Sequence, residues 1–163
     1  MATLFNADEV FAVAEQIERN GAKFYRKAGE NFKAPELQRK MNDLAAMELS
    51  HEKIFAAMRA ELKGRALEPS AFDPEGRAQA YLQAFADGHV FDVKADPSAK
   101  LSGKESLKDV LLTAIGLEKD SVVFYTGIRE VVPENLGRDK IDRIIREEMN
   151  HITMLSKELA AAK

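Results

Sequence analysis

The chain has 163 residues, of which 45% are apolar and 31% charged, with a formal net charge of −3 and no cysteine. That length suits one domain with a sizeable core, and the balance excludes a disordered or fibrous chain. The missing cysteines exclude disulfides, zinc–thiolate sites, iron–sulfur clusters and thiol nucleophiles, and the absence of a basic patch argues against nucleic acid as a partner.

In chain order, the first helix is expected from Ala7 to Glu30. Asn6 caps it with Glu9 three residues on, and Phe5 and Val10 are placed for a hydrophobic staple. Phe11, Ala14, Ile17, Ala22 and Tyr25 form its apolar stripe. The second helix runs from Pro35 to about Lys63, opened by the proline, carrying Met41, Leu44, Phe55 and Met58, and stopping near Gly64. About forty residues follow, with one short helix expected from Pro74 to Asp87 between Asp73 and Gly88; His89 to Lys100 reads as loop, Val90 to Val93 as a possible short extended stretch, and His89 as surface. The third long helix is expected from Gly103 or Lys104 to Val131 or Val132, with Ser102 and Glu105 as a capping box. Pro133 interrupts the chain, and the fourth helix runs from between Pro133 and Arg138 nearly to the end, carrying Ile141, Ile144, Ile145, Ile152, Leu155 and Leu159. Short links make helices one and two antiparallel neighbours, and likewise three and four. The long link crosses the bundle from end to end. The fold class is therefore all-α: a four-helix bundle with one long crossover containing a short helix. No apolar run reaches membrane-span length, and the N-terminus lacks the pattern of a signal peptide, so the expected location is cytoplasmic, with no membrane partner.

The two halves repeat at an offset of one hundred positions. Ala14 to Glu18 matches Ala114 to Glu118, and Phe24-Tyr25 matches Phe124-Tyr125. Leu44 to His51 aligns with Ile144 to His151, which places Glu48 on Glu148 and His51 on His151. Each helix hairpin thus supplies one lone Glu and one Glu-x-x-His. Glu18, Glu48, Glu118 and Glu148 occupy positions on apolar stripes. Burying four such carboxylates together is costly unless cations neutralise them. Four carboxylates and two imidazoles are the ligand inventory of a di-metal carboxylate bundle, and the mixture suits iron or manganese. The expected ligands are Glu18, Glu48, His51, Glu118, Glu148 and His151. Glu15 and Glu52 face Ile115 and Ile152 across the repeat, and Glu147 faces Met47, so these three acids fall outside the ligand set. Tyr25 and Tyr125, seven residues after the lone Glu on each helix, fit either core packing or hydrogen bonding to a ligand.

On Ile17 to Tyr25, Leu44 to His51, Leu117 to Tyr125 and Glu148 to His151, the chain resembles the rubrerythrin-type branch of the ferritin-like superfamily over nearly its whole length. The resemblance implies one ferritin-like domain holding two irons, with manganese or mixed metal as alternatives. In that set Glu48 and Glu148 would be the bridging carboxylates and Glu18 and Glu118 the outer ones. It further implies a homodimer and a non-haem di-iron oxidoreductase that uses oxygen or peroxide and draws electrons from an external donor. The alternatives are a ferroxidase or small iron-storage protein, and a non-enzymatic scaffold stabilised by metal. Two departures stand out. Classical rubrerythrins carry a four-cysteine iron site, absent here. They also carry an additional Glu three residues before the third-helix ligand, where this chain has Ile115, which implies slow peroxide turnover.

Overall fold

The computed structural model describes residues 6–62, 77–86, 92 and 95–162, and every regular element among them is helical. The helices are α1 (Ala7–Asn31), α2 (Pro35–Ala60), α3 (Arg77–Ala86), α4 (Leu107–Val131) and α5 (Arg138–Ala161), with 3-10 turns at Pro97–Lys100 and Glu134–Leu136. At about 1.5 Å per residue, each of the four long helices spans on the order of 36–39 Å.

Local chemistry explains the helix starts. Asn6 accepts from the Glu9 amide while the Glu9 carboxylate accepts from the Asn6 amide, each at 3.0 Å, so two otherwise unpaired donors are satisfied. α4 begins later than the sequence suggests. Ser102 and Glu105 do bond to each other, but Gly103 takes a φ of +83° and the pair closes a turn. The reciprocal cap belongs instead to Ser106 and Asp109. Gly137, at φ +95°, turns the chain into α5 through the left-handed region that glycine enters without steric cost. α2 ends at Ala60, before the expected stop. The staple residue Phe5, the stop at Gly64, both expected ends of the crossover helix (Asp73-Pro74, and Asp87-Gly88), and His89 lie outside the described residues.

α1 packs along α2 and α4 along α5, and the two hairpins meet through α1–α4 and α2–α5. Two apolar layers fill the bundle. One gathers Val10, Phe11 and Ala14 of α1, Phe55 and Met58 of α2, Phe124 and Ile128 of α4, and Ile141 and Ile144 of α5. The other gathers Phe24 and Ala28, Met41 and Leu44, Leu111 and Ala114, and Leu155. Each long helix therefore contributes one end to each layer, and α1 runs antiparallel to both α2 and α4. The crossover travels from one layer to the other: Leu82 and Phe85 of α3 pack in the first, and Leu101 in the second. Tyr81 anchors α3, lying over Gly127 where any Cβ would overlap its ring, and donating its hydroxyl to the Val123 carbonyl. This is the architecture expected from the connection lengths. The stretch between the layers, at mid-height on all four long helices, is where the polar repeat falls.

Candidate metal centre

Between the two layers the helices turn six ionisable side chains inward. Glu18 and Glu148 are wholly buried, and Glu48, His51, Glu118 and His151 are at most 4% exposed. Glu48 with His51, and Glu148 with His151, share a helix face because residues three apart lie one turn apart. Glu148 sits between the imidazoles: its Oε1 is 2.9 Å from His51 Nδ1 and its Oε2 3.0 Å from His151 Nδ1. Glu18 Oε2 lies 3.4 Å from His51 Nδ1, and Glu118 Oε1 lies 3.4 Å from His151 Nδ1. The two rings are nearly parallel, 21° apart, with centroids separated by 6.0 Å.

Two ligand groups emerge. Glu18, Glu48, His51 and Glu148 offer atoms within 4.8 Å of one another, and so do Glu48, Glu118, Glu148 and His151. Glu48 and Glu148 belong to both, so they occupy the shared positions, while each outer Glu and each His belongs to one. All six residues singled out by the repeat come together.

The electrostatics fit a cation pair. Burial drives the Glu18 and Glu48 carboxyls well above the ordinary carboxylate range, with the Glu148 charge adding to the effect on Glu18 and the Glu18 charge to that on Glu48. Burial likewise lifts Glu118 to about 8. Burial alone would depress both histidines, but their carboxylate partners prevail, Glu148 chiefly for His51 and Glu118 with Glu148 for His151, and carry them up to about 9 and about 10. Glu148 is opposed by its own burial, yet the two histidines hold it down to about 2. Without cations the cluster must therefore retain protons. Glu18 Oε2, Glu48 Oε1, both Glu148 oxygens and both Nδ1 atoms are buried and, although they crowd one another at ion-pair distances, none makes a well-directed hydrogen bond among the described residues. Native structures rarely leave so many buried polar atoms unpaired, and here they converge on one small volume. Two cations would satisfy them together.

Neighbouring residues complete the site. Tyr25 donates its hydroxyl to Glu118 Oε1 and Tyr125 donates to Glu18 Oε1, so each phenol reaches across to the lone Glu of the other hairpin. Glu15 and Glu52 are engaged outside the cluster, Glu52 by Arg19 and Glu15 by Arg19 and Arg59. Glu147 also supplies no atom to the two groups, but its Oε2 lies 2.7 Å from His51 Nε2. The repeat gave no signal for this contact, because Met47 stands at the matching position. Gly21 allows α1 to approach Glu48 closely; a Cβ there would lie 3.2 Å from Glu48 Oε2.

A cavity of about 160 Å³ opens on one side of the cluster, between α1, α4 and the end of the crossover. Glu48, Glu118 and Tyr25 form its inner wall, with Ile17, Gly21, Leu117 and Ser121 flanking them. Its volume suits small molecules.

No protein-family model matches the chain, and no curated protein matches it. Among solved structures, a crystal structure from Thermotoga maritima, classed provisionally as a ferritin-like diiron-carboxylate protein, is similar over 100% of both chains, with 24% identity and a TM-score of 0.76. The chain therefore has a ferritin-like fold. With the two ligand groups at mid-height, the molecule is a ferritin-like bundle carrying a candidate di-metal centre. No helix among the described residues is long and apolar enough to cross a membrane.

Proposed function

We propose that the protein is a rubrerythrin-type, non-haem di-iron oxidoreductase that reduces oxygen or peroxide with electrons from an external donor. The observation that carries this reading is the double set of buried, unpaired carboxylate and imidazole atoms, opening onto a cavity of small-molecule size. Bound there, a pair of irons would supply the electrons for reducing the oxidant, with manganese the alternative occupant.

In this reading Glu18, Glu48, His51 and Glu148 would hold one ion and Glu48, Glu118, Glu148 and His151 the other. Tyr25 and Tyr125 hold the outer carboxylates by hydrogen bonds, limiting their rotation as charge at the centre changes. Both phenols are held far above their ordinary pKa, by burial first and neighbouring carboxylates second, so they remain proton donors. Ile17 and Leu117 give the cavity apolar walls beside the cluster, and Ser121 offers a hydroxyl. Ile115, packed against the apolar layer of Leu111 and Ala114, offers no ligand atom one turn before Glu118. By the resemblance to rubrerythrins, peroxide turnover should be slow, and Ile115→Glu, compared with the wild type by stopped-flow reoxidation, should add a ligand that can raise it, while weakening the fold wherever the new carboxylate stays unpaired.

Iron handling is the second reading, favoured by the same cavity if ions pass through it. Anaerobic loading with ferrous iron, followed by separate oxygen and peroxide challenges, distinguishes the two. An oxidoreductase reoxidises, retains its iron and turns over when a reductant is supplied; a ferroxidase releases or accumulates ferric iron. Loaded protein that reacts with neither oxidant would contradict both.

A further inference from the structure

We propose that Glu147 makes the two metal positions unequal, so that the position beside His51 fills first and holds its ion more tightly. The inference rests on the di-metal reading and adds to it a positioning residue outside the ligand set.

His51 points Nδ1 at Glu148 and Glu18, at 2.9 and 3.4 Å. When Nδ1 binds a cation, the ring proton must reside on Nε2, and a buried N–H needs an acceptor. Glu147 Oε2 supplies one at 2.7 Å. The carboxylate is itself held by Arg143, whose Nε lies 3.2 Å from Oε1. Arg143, Glu147 and His51 thus form a chain running from the surface to the inner ligand. A carboxylate accepting from the outer nitrogen fixes the tautomer, orients the ring and makes the inner nitrogen a stronger ligand.

His151 is presented to its own group in the same way, with Nδ1 toward Glu148, Glu118 and Glu48. Its Nε2 is buried and has no hydrogen-bond partner among the described residues. The position matching Glu147 is Met47, whose thioether is at most a weak acceptor. The six ligands obey the repeat, and the acceptor behind one histidine breaks it. Outer-shell partners of this kind are worth about 10–100-fold in metal affinity.

The test uses metal-free full-length protein titrated anaerobically with cobalt(II), followed by visible absorbance and calorimetry. Crystals loaded with one equivalent then locate the ion by anomalous diffraction. The wild type should bind in two steps separated by roughly tenfold or more, with the first ion beside His51. Glu147→Leu, which has similar size and no acceptor, should weaken the first step by about 10–100-fold and leave the second unchanged. Glu147→Gln, which retains a neutral acceptor, should fall between. Met47→Glu should strengthen the second step alone, and this gain does not depend on Glu147→Leu folding normally. The proposal is overturned if the first ion lies beside His151, if both positions fill together, or if Glu147→Leu weakens both steps alike. Failure to bind cobalt at all would overturn the di-metal reading as well, whereas two equal ions would leave that reading intact.

Discussion

The hairpins α1–α2 and α4–α5 are near-copies at the centre and diverge where they meet the crossover. Both present a lone Glu, a Glu-x-x-His and a phenol that reaches the opposite hairpin. Both open on a reciprocal cap, Asn6 with Glu9 and Ser106 with Asp109. They differ where something docks or supports. Glu147 stands where the first hairpin has Met47. Gly127, which receives Tyr81 of the crossover, corresponds to Lys27, whose ammonium bonds the Ser98 carbonyl. Symmetry is kept where two like ions would demand like ligands, and is lost where different parts of the crossover meet the two hairpins, Tyr81 at Gly127 and Ser98 at Lys27.

The largest effect should come from the shared carboxylates. Glu48→Ala and Glu148→Ala each remove a side chain common to both groups, so each should lower uptake at both positions, by more than the roughly 10–100-fold that outer partners command. Glu15→Ala should leave uptake unchanged. Metal analysis after anaerobic loading and desalting checks this; a Glu148→Ala protein that still holds its full complement would break the pairing.

Next is the pH dependence of stability. Glu118, His51 and His151 have folded values of about 8, 9 and 10, against ordinary values of 4.5, 6.5 and 6.5. The folded, metal-free chain therefore binds more protons through these groups than the unfolded chain does. Their stabilisation is complete at the acid side of that window and is lost as pH rises through the folded values. Glu148 acts in the opposite sense, and only below its ordinary value of 4.5. Melting of the metal-free protein should thus occur at lower temperature as pH rises from about 5 to about 9. With metal present the gain in melting temperature should grow over the same range, because protons compete with the cation for the same atoms. Parallel melting curves with and without metal would count against a shared site.

A smaller, symmetric pair of effects is expected from the phenols. Tyr25→Phe and Tyr125→Phe each remove a hydrogen bond to a buried carboxyl, costing about 1–3 kcal/mol, and the two costs should be similar. Chemical denaturation of the metal-free variants measures both. A large inequality would mean that the two outer carboxylates are not equivalent.

The smallest effect probes the asymmetry of the scaffold. Gly127→Ala places a methyl in the Tyr81 ring and should cost about 1–3 kcal/mol as α3 shifts, the usual range for overpacking. Lys27→Ala, at the matching position, should cost less, about 0.5–1.5 kcal/mol, since it removes one half-buried hydrogen bond and displaces no ring. If Gly127→Ala were neutral, α3 would not be anchored through Tyr81.

Much of the fold and of the site is legible in the sequence. The long helices follow from apolar spacing, and the ligand set from four carboxylates standing where packing calls for apolar groups. Repetition at a fixed offset turned weak single motifs into a specific pattern. The start of α4 was misplaced because Ser102-x-x-Glu105 and Ser106-x-x-Asp109 are both plausible caps; the left-handed Gly103 decides between them, and backbone dihedrals are not written in a capping motif. The contact of Glu147 with His51 joins α5 to α2 across ninety-six positions and has Met47 at its matching position, so neither helical spacing nor the repeat could reveal it. The grip of Tyr81 on Gly127 was hidden for the same reason.

The central claim is that the repeated centre holds two ions through paired ligands. The most direct measurement is a crystal structure of the ferrous-loaded protein, grown without oxygen, with anomalous data collected at the iron edge. The account predicts two iron peaks bridged by Glu48 and Glu148, one flanked by Glu18 and His51 and the other by Glu118 and His151. A single peak at full loading, or iron bound only at surface carboxylates with none beside the six side chains, would contradict it.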